Sequence, residues 1–200
     1  MSMQRDLEFL YEMGSLRFIQ RTWRRFLNED LANLAEHHVR VAWMALVLAR
    51  HEGVEDTGKV LKMALVHDIA ESRTGDVDYL SRQYVERNEE LGITDMLADT
   101  VLADEFTQLW KEYEERTCIE AKIVKDADNL DVDLELQEQA VRGGTLRDVL
   151  DDNRTRVAEA KLYTNSAKRF WKAIKQSNPH DWHHNGRTRL NAGDWKPEKS

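Results

Sequence analysis

Proline and cysteine are scarce in this chain of 200 residues, which contains 2 Pro and 1 Cys. Both prolines, Pro179 and Pro197, lie near the C-terminus, so residues 1–178 contain none. Because proline interrupts helices, a proline-free stretch rich in Ala, Leu, Glu, Lys and Arg favours a mostly helical domain. Alternating β-branched residues bounded by turn signals, the pattern of strands, are also missing. The sequence therefore predicts an all-α fold.

The single cysteine, Cys118, excludes an internal disulfide and a zinc site built from cysteines. It indicates a reducing compartment, and we expect the cytoplasm. The longest apolar run, residues 41–49, has nine residues, whereas a bilayer span needs about 20. No basic segment followed by an apolar one opens the chain, so we expect neither a secretory signal nor a membrane partner.

Basic residues are outnumbered, since 29 Lys and Arg stand against 37 Asp and Glu and give a formal net charge of −8. An acidic chain without a basic stripe argues against a protein that wraps nucleic acid. It is compatible with a small phosphate ligand held by a metal ion and one or two local cations. Hydrophobic residues at 41% are enough for a globular core in a chain of this length.

Glycines and capping residues divide residues 1–178 into helical segments, which we treat as one domain. The expected helices cover, in chain order, residues 4–13, 31–51, 59–71, 76–91 after an initial turn, a segment opened by Thr94, 117–142 and 146–175. After Asn178 the composition changes. We expect residues 179–200 to form an irregular tail that packs back on the helices through Trp182 and Trp195.

The predicted helix over residues 31–51 is apolar on two sides. Leu34, Val41 and Leu48 share one stripe, and Trp43 and Val47 lie on the opposite side. Such a helix is typical of a central element or of one shared with a partner subunit. The centre of the stripe is occupied by His38 and its edge by His37, so periodicity alone points to His38 as the inward histidine.

An adjacent His67-Asp68 pair follows the apolar segment 64–66, and Glu71 comes three residues later. Imidazole nitrogens and carboxylate oxygens are ligands of first-row divalent metals. The spacing also places Asp68 and Glu71 on one face of a helix. By itself the segment equally fits a helix C-terminus, where His67 interacts with the helix dipole and Asp68 is a local acceptor.

Three further blocks favour the metal interpretation: Leu34-Ala35-Glu36-His37, Thr74-Gly75-Asp76 and Val124-Lys125-Asp126-Ala127-Asp128. With His67-Asp68 they give the order His, His-Asp, Asp across roughly residues 16–138. In this order and spacing the sequence resembles the HD-domain superfamily of metal-dependent phosphohydrolases, and in particular its 5′-deoxynucleotidase branch. The resemblance implies a single HD-type helical bundle with a central metal site.

The resemblance implies that one divalent metal ion is bound by four side chains: His37, His67, Asp68 and Asp128. Two nitrogen and two oxygen ligands suit Mn²⁺, Co²⁺, Fe²⁺ or Ni²⁺, and less clearly Mg²⁺. Because the family pattern places its ligand directly after Glu36, His37 is expected to bind the metal, and His38 to be a core or supporting histidine.

Four further roles follow from the same resemblance. Glu71 would orient or deprotonate a water molecule, and Asp76 would accept a hydrogen bond from the sugar 3′-hydroxyl. Arg21 would bind the phosphate, and Trp23 would stack on the base or exclude a 2′-hydroxyl. Thr22 separates Arg21 from Trp23, whereas the bacterial branch has them adjacent, so sugar selectivity stays open. Each residue also has an ordinary interpretation, as an exposed carboxylate, a turn or cap, a surface arginine or a packing tryptophan.

Two other clusters are set aside as metal ligands. The tail histidines lack matching acidic or cysteine ligands at a defined spacing and are interpreted as tail packing or adventitious affinity: His180, His183 and His184. The aspartates around Asp128 are expected to point away from the site, on a solvated helix face: Asp126, Asp131 and Asp133.

The sequence therefore predicts a metal-dependent enzyme that removes the 5′-phosphate from (deoxy)ribonucleoside monophosphates. Its substrate would be a small nucleotide rather than a nucleic acid polymer. A second copy of the chain would pack against Trp43 and Val47 to form a homodimer. One alternative is a superfamily phosphohydrolase acting on nucleoside triphosphates or a phosphodiester. Another is a non-catalytic sensor of metal or nucleotide, which Glu71 disfavours because binding needs no general base.

Overall fold

The computed structural model describes residues 2–27 and 31–184 of the chain. Within these residues the regular structure is helical, and the only pairing of the β type is an isolated bridge between Gln20 and Asn33. The prediction of an all-α fold is therefore confirmed. Over the same ranges, no helix combines the length and the apolar composition needed to cross a bilayer.

Twelve α-helices are assigned over the described ranges. In chain order they are α1 Met3–Ser15, α2 Arg24–Leu27, α3 Leu34–His51, α4 Gly58–Val66, α5 Glu71–Thr74, α6 Glu89–Leu97, α7 Ala103–Glu115, α8 Ile119–Val141, α9 Leu146–Val149, α10 Asp151–Ala160, α11 Asn165–Gln176 and α12 Asp181–His184. Short 3₁₀ turns lie at Leu16–Phe18 and Ser81–Gln83.

The centre of the fold is α8, which packs against α3, α4, α7 and α11. Residues at helical spacing on α8 are fully buried, among them Ile123, Ala127 and Leu130. The predicted apolar stripe of α3 is buried against them. On the opposite side of α3, Trp43 is 68% exposed and Val47 42% exposed. The helix is thus central on one side and exposed on the other.

A capping box determines where α3 begins. Asn33 Oδ1 accepts a hydrogen bond from the backbone N–H of Glu36, and the Glu36 carboxylate accepts one from the N–H of Asn33. This reciprocal pair satisfies two free donors at the start of the helix. The helix therefore begins at Leu34 rather than at residue 31, and the cap fixes the turn that leads to His37.

The helix predicted over residues 59–71 is interrupted in the structure. Helix α4 ends at Val66, residues 67–70 form turns, and α5 begins at Glu71. The ring Nδ1 of His67 lies 2.8 Å from the carbonyl oxygen of Ala64, which in a continuing helix would accept from Asp68 N–H. The histidine side chain therefore competes with the helix at the position that carries the His-Asp pair.

The helices predicted from residue 76 onward also differ from the structure. Residues 76–88 form a loop around the 3₁₀ turn, in which Asp78 accepts hydrogen bonds from the backbone N–H groups of Leu80 and Ser81. Such local side-chain bonds favour turns over helices. Thr94, expected to open a helix, lies inside α6, which begins after an Asn88 cap.

The long helix predicted over residues 146–175 is divided into α9, α10 and α11. The break between α10 and α11 depends on α8, where the Asp126 carboxylate accepts hydrogen bonds from the backbone N–H groups of Tyr163 and Thr164. Thr164 in turn caps α11 through the N–H of Ala167. A tertiary contact therefore ends one helix and starts the next.

The predicted tail falls partly on residues 185–200, including Trp195, which lie outside the described residues. Of the preceding part, residues Asp181–His184 form a helical turn, and Trp182 is 76% exposed. Trp182 therefore does not pack back on the helices as expected.

Candidate metal centre and adjoining cavity

Two histidines and two aspartates from three parts of the fold meet at the centre of the bundle. His37 lies on α3, His67 and Asp68 follow α4, and Asp128 lies on α8. One ligand atom of each lies within 4.8 Å of the others. The Nε2 atoms of His37 and His67 are 3.4 Å apart, and His37 Nε2 is 3.4 Å from Asp128 Oδ1. The structure thus brings together the four residues that the sequence singled out as ligands.

The other nitrogen of each histidine ring is already engaged. His67 Nδ1 donates to the carbonyl oxygen of Ala64 at 2.8 Å, and His37 Nδ1 donates to Asp131 Oδ2 at 2.6 Å. In the neutral rings the Nε2 atoms therefore carry lone pairs, and these face each other beside the two carboxylates. Two nitrogen lone pairs and two negative charges around one point fit a divalent cation.

The charged groups around the centre shift the pKa values of His37 and Asp128. Burial by itself lowers the pKa of His37, but hydrogen bonding with Asp128, Asp131 and Asp68 raises it to about 10. Burial opposes ionisation of Asp128 as well, yet Lys125 and His37 hold its pKa well below the usual range. The surroundings therefore favour positive charge at this point, whether a proton or a metal ion supplies it.

His38 is buried but lies outside the group. Its ring packs 4.6 Å from that of His67, and its Nε2 has no hydrogen-bond partner among the described residues. Burial lowers the pKa of His38 well below its ordinary value. Periodicity alone pointed to His38 as the inward histidine, whereas both histidines are buried and it is His37 whose Nε2 faces the group.

The expectation that Asp126, Asp131 and Asp133 lie on a solvated face is wrong, because all three are buried. The reason is that α8 is covered by other helices around most of its circumference. Asp131 is bound by His37 and Arg40, and the carboxylate of Asp133 accepts two hydrogen bonds from Arg154, at 2.7 and 2.9 Å. Asp131 lies one helical turn after Asp128, a spacing that could have identified it as a neighbour of the site.

A cavity of about 280 Å³ opens beside the group and is lined by Asp68 and Asp128 together with four other residues predicted for the site. These are Arg21, Trp23, Glu71 and Asp76. Arg21 lies between two carboxylates, with Nη1 3.9 Å from Asp68 Oδ2 and Nε 3.7 Å from Asp76 Oδ2. The backbone N–H of Thr22 donates to the same Asp76 oxygen at 2.8 Å. The N-terminal segment is therefore joined to the Thr74-Gly75-Asp76 turn.

Glu71 is buried at the cavity wall. Its Oε1 accepts a hydrogen bond from Arg87 Nη1 at 3.0 Å, and its Oε2 has no partner among the described residues. Burial, together with the charges of Asp68 and Asp76, raises the pKa of Glu71 to about 9. Its free oxygen can therefore hold a water molecule or a proton next to the His/Asp group.

The aromatic part of the cavity lies near Asp76. Trp23 packs against Tyr79 with ring centroids 6.0 Å apart, and Phe26 stacks on Tyr79 at 5.2 Å. Trp23 and Tyr79 line the cavity and offer apolar faces to a planar ligand. Loop 76–88, which sequence reasoning took for a helix, supplies Tyr79.

Several cations of the cavity were not identified from the sequence. Lys125 donates a hydrogen bond to Asp128 Oδ2 at 2.7 Å, and further arginines line the wall: Arg82, Arg87, Arg116 and Arg154. Lys125 stands in one of the motif blocks one helical turn before Asp128, and that spacing was the available signal. The arginines come from separate elements, and no local pattern groups them.

The tail histidines form a pair of their own. His180 Nδ1 lies 3.0 Å from His183 Nε2, and both residues belong to the exposed C-terminal end of the described chain. Over residues 2–27 and 31–184, the one group of three or more side chains arranged to hold a metal ion is the central one.

Comparison with known proteins gives a consistent result. The family model described as "HD domain" matches residues 13–171. The 5′-deoxynucleotidase HDDC2 of Dictyostelium discoideum is 34% identical over 149 residues, which cover 68% of this chain and 78% of that protein. The human protein of the same name is 32% identical over 155 residues, covering 72% and 74%. A conserved hypothetical protein from Pyrococcus furiosus superposes with a TM-score of 0.66 at 26% identity, covering 86% of this chain and 99% of that one.

Proposed function

The chain belongs to the HD domain family, and from this membership we propose that it is a metal-dependent phosphohydrolase that removes the 5′-phosphate from deoxyribonucleoside monophosphates. The observation that carries the proposal is the group of His37, His67, Asp68 and Asp128, which borders a cavity. This arrangement supports the four residues as metal ligands.

The group of His37, His67, Asp68 and Asp128 would hold a divalent cation. When bound, the cation would supply positive charge that neutralises phosphoryl oxygens, makes water a stronger nucleophile and favours the ionised form of Glu71. The two nitrogen and two oxygen donors fit Mn²⁺, Co²⁺, Fe²⁺ or Ni²⁺ better than Mg²⁺, which prefers oxygen ligands. We therefore propose a first-row transition metal as the resident ion.

The surrounding side chains position the attacking water and the substrate. Glu71 Oε2, the unpartnered carboxylate oxygen at the cavity wall, orients the attacking water and accepts its proton. Arg21 offers a guanidinium to the phosphate, and Asp76 accepts a hydrogen bond from the sugar 3′-hydroxyl. Trp23 and Tyr79 provide the apolar wall for the base.

The experiment is a metal-resolved activity panel. Metal-stripped protein is supplied singly with Mg²⁺, Mn²⁺, Co²⁺ or Ni²⁺, and phosphate release is measured from 5′-deoxynucleoside monophosphates, ribonucleotides, 3′-monophosphates and triphosphates. We expect metal-dependent release from the 5′-deoxymonophosphates. Release from ribonucleotides at the same rate would mean that Trp23 does not exclude a 2′-hydroxyl.

Variants at the His-Asp pair provide the control for the panel. His67→Ala and Asp68→Ala are expected to remain helical by circular dichroism and to lose metal-dependent turnover. Full activity in both folded variants would contradict the proposal. Turnover of triphosphates or diesters alone would identify a different phosphohydrolase, and metal and nucleotide binding without turnover would identify a sensor.

We also propose that the chain forms a homodimer through the outer face of α3. Trp43 and Val47 border a surface groove there together with neighbouring residues: Leu46, Arg50 and His51. Light scattering should give the mass of two chains, and Trp43→Glu should give the mass of one. Tyr84→Glu, which changes an aromatic residue that is 82% exposed in a different element, should leave the dimer intact. We propose the cytoplasm as the compartment only because the single cysteine indicates a reducing environment.

A further inference from the structure

The C-terminal end of α7 borders the cavity with two buried polar atoms that lack a hydrogen-bond partner among the described residues. Tyr113 and Arg116 both line the cavity. Tyr113 is 1% exposed, and its hydroxyl oxygen has no hydrogen-bond partner among the described residues. The same is true of the buried Nη1 atom of Arg116. Buried donors are normally paired, so two unpaired donors at one cavity wall point to a ligand that supplies the acceptors.

The guanidinium of Arg116 is held in place for such a contact. Its central carbon lies 3.4 Å above the centroid of the Tyr113 ring, and its Nη2 lies 3.4 Å from Glu114 Oε1. The backbone of Arg116 is left-handed, with φ of 55°, at the position after a helix where glycine is common. Stacking on the ring and the contact with Glu114 fix the plane of the group and leave Nη1 unpaired.

The neighbours of Arg116 indicate which part of a substrate it meets. The ring of Tyr113, on which Arg116 stacks, lies 5.8 Å from the ring of His67, a proposed metal ligand. Lys125 is bonded to Asp128, one of the proposed metal ligands. The aromatic wall of Trp23 and Tyr79 instead belongs to the segments around Asp76. The side with Arg116 therefore suits an anion, and the other side suits a base.

We propose that Arg116, assisted by the Tyr113 hydroxyl, binds the phosphate of the substrate as a second cation besides Arg21. The proposal rests on the proposed function, because it assumes a phosphate monoester in this cavity. Guanidinium groups bind phosphate through paired N–H donors, and a phenol adds one further donor. No motif of the sequence contains Arg116, so the assignment depends on the structure.

The test compares inhibition by the two products. Arg116→Met and Arg116→Gly are assayed with a 5′-deoxynucleoside monophosphate, and inhibition constants are measured for inorganic phosphate and for the nucleoside. Loss of one charge-assisted contact should raise KM and the inhibition constant of phosphate by about 10- to 100-fold. The inhibition constant of the nucleoside should change less than about twofold, since that ligand lacks the anion. Tyr113→Phe should produce a smaller change in the same direction.

Three controls separate a contact from a structural role. Arg156→Met removes an exposed arginine of α10 that does not line the cavity, so phosphate inhibition should stay close to that of the parent. Arg116→Gly relieves the left-handed backbone and should unfold at a temperature no lower than the parent. Metal titration of the Arg116 variants should give the parent affinity, which excludes damage to the His/Asp group.

Unchanged phosphate inhibition in both Arg116 variants would overturn the proposal. A raised inhibition constant for the nucleoside with an unchanged constant for phosphate would also overturn it, because the arginine would then contact the sugar or base. If the parent releases no phosphate from any monophosphate, inorganic phosphate is titrated directly into the metal-loaded protein. Weaker phosphate binding by Arg116→Met would then uphold this site although the proposed function had failed, and equal binding would reject both.

Discussion

The Nδ1 atom of His37 donates a hydrogen bond of 2.6 Å to the Oδ2 atom of Asp131. Asp131 also binds Arg40, which reaches Glu135 and Glu138 on the same helix. A chain of charged contacts along α8 thus fixes the tautomer and the orientation of one proposed metal ligand. Partners of this kind raise the basicity of a metal-binding histidine and hold its ring in place.

Asp131→Asn is expected to weaken metal binding by about 10- to 100-fold, because a neutral amide is a poorer acceptor for His37 Nδ1–H. Titration of the metal-stripped variant measures the effect. Glu138→Gln is the matched control, since it changes only the outer contact of Arg40. Its metal affinity should stay within about threefold of that of the parent. Equal affinities in Asp131→Asn and the parent would show that Asp131 does not position His37.

His37→Phe and His38→Phe should differ in metal content. The two histidines are adjacent and buried, but only His37 directs Nε2 into the central group. We expect His38→Phe to retain one metal ion per chain after dialysis and His37→Phe to lose it, as measured by atomic emission. The reverse result would assign the ligand to His38, as the periodicity of α3 had suggested.

The buried ion pair between Asp133 and Arg154 should stabilise the contact between α8 and α10. Arg154→Met leaves the Asp133 carboxylate uncompensated and should lower the free energy of unfolding by about 3 kcal/mol. Adding Asp133→Leu should restore part of that loss, because no unpaired charge is then buried. Urea denaturation of the two single variants and the double variant measures the coupling, and strictly additive losses would contradict it.

Asp78→Asn should destabilise the loop that carries Asp76 and Tyr79 in a pH-dependent way. Hydrogen bonds, first from the backbone N–H of Ser81, lower the pKa of Asp78 from 3.8 to about 2. Because the folded-state pKa is the lower one, the stabilisation is complete above the unfolded value and is lost as the pH falls through the folded one. The stability difference between parent and variant should therefore be constant near pH 6 and shrink below about pH 4. A difference that does not depend on pH would exclude the carboxylate as its source.

The sequence predicted which residues meet at the central site better than it predicted where the helices begin and end. The order of motif blocks identified the HD domain, which the family comparison confirms. The same blocks named His37, His67, Asp68 and Asp128, and the structure brings these residues together. Their roles as ligands stay predictions until metal binding is measured. The resemblance to the HD-domain superfamily made this possible, because it assigned the ligands by their position in the motif blocks and named His37 where periodicity favoured His38.

The features that were missed depend on contacts distant in sequence. Asp126 on α8 ends α10 and starts α11 by bonding the backbone at Tyr163 and Thr164. No pattern within residues 146–175 reveals that break. The burial of Asp131 also depends on a contact distant in sequence, since its partner Arg40 lies on α3. The position of Asp131 along its own helix predicted an exposed carboxylate. Helix continuity and the burial of charge were therefore the weakest parts of the sequence prediction.

The central group draws its side chains from α3, from the turn after α4 and from α8, which are distant along the chain. An ion that joins them acts as a reversible cross-link, and the unfolded chain cannot offer the same geometry. Above the dissociation constant, each tenfold rise in free metal should add about 1.4 kcal/mol to the free energy of unfolding. The melting temperature thus becomes a direct gauge of occupancy, and a chelator should lower it without any change to the chain.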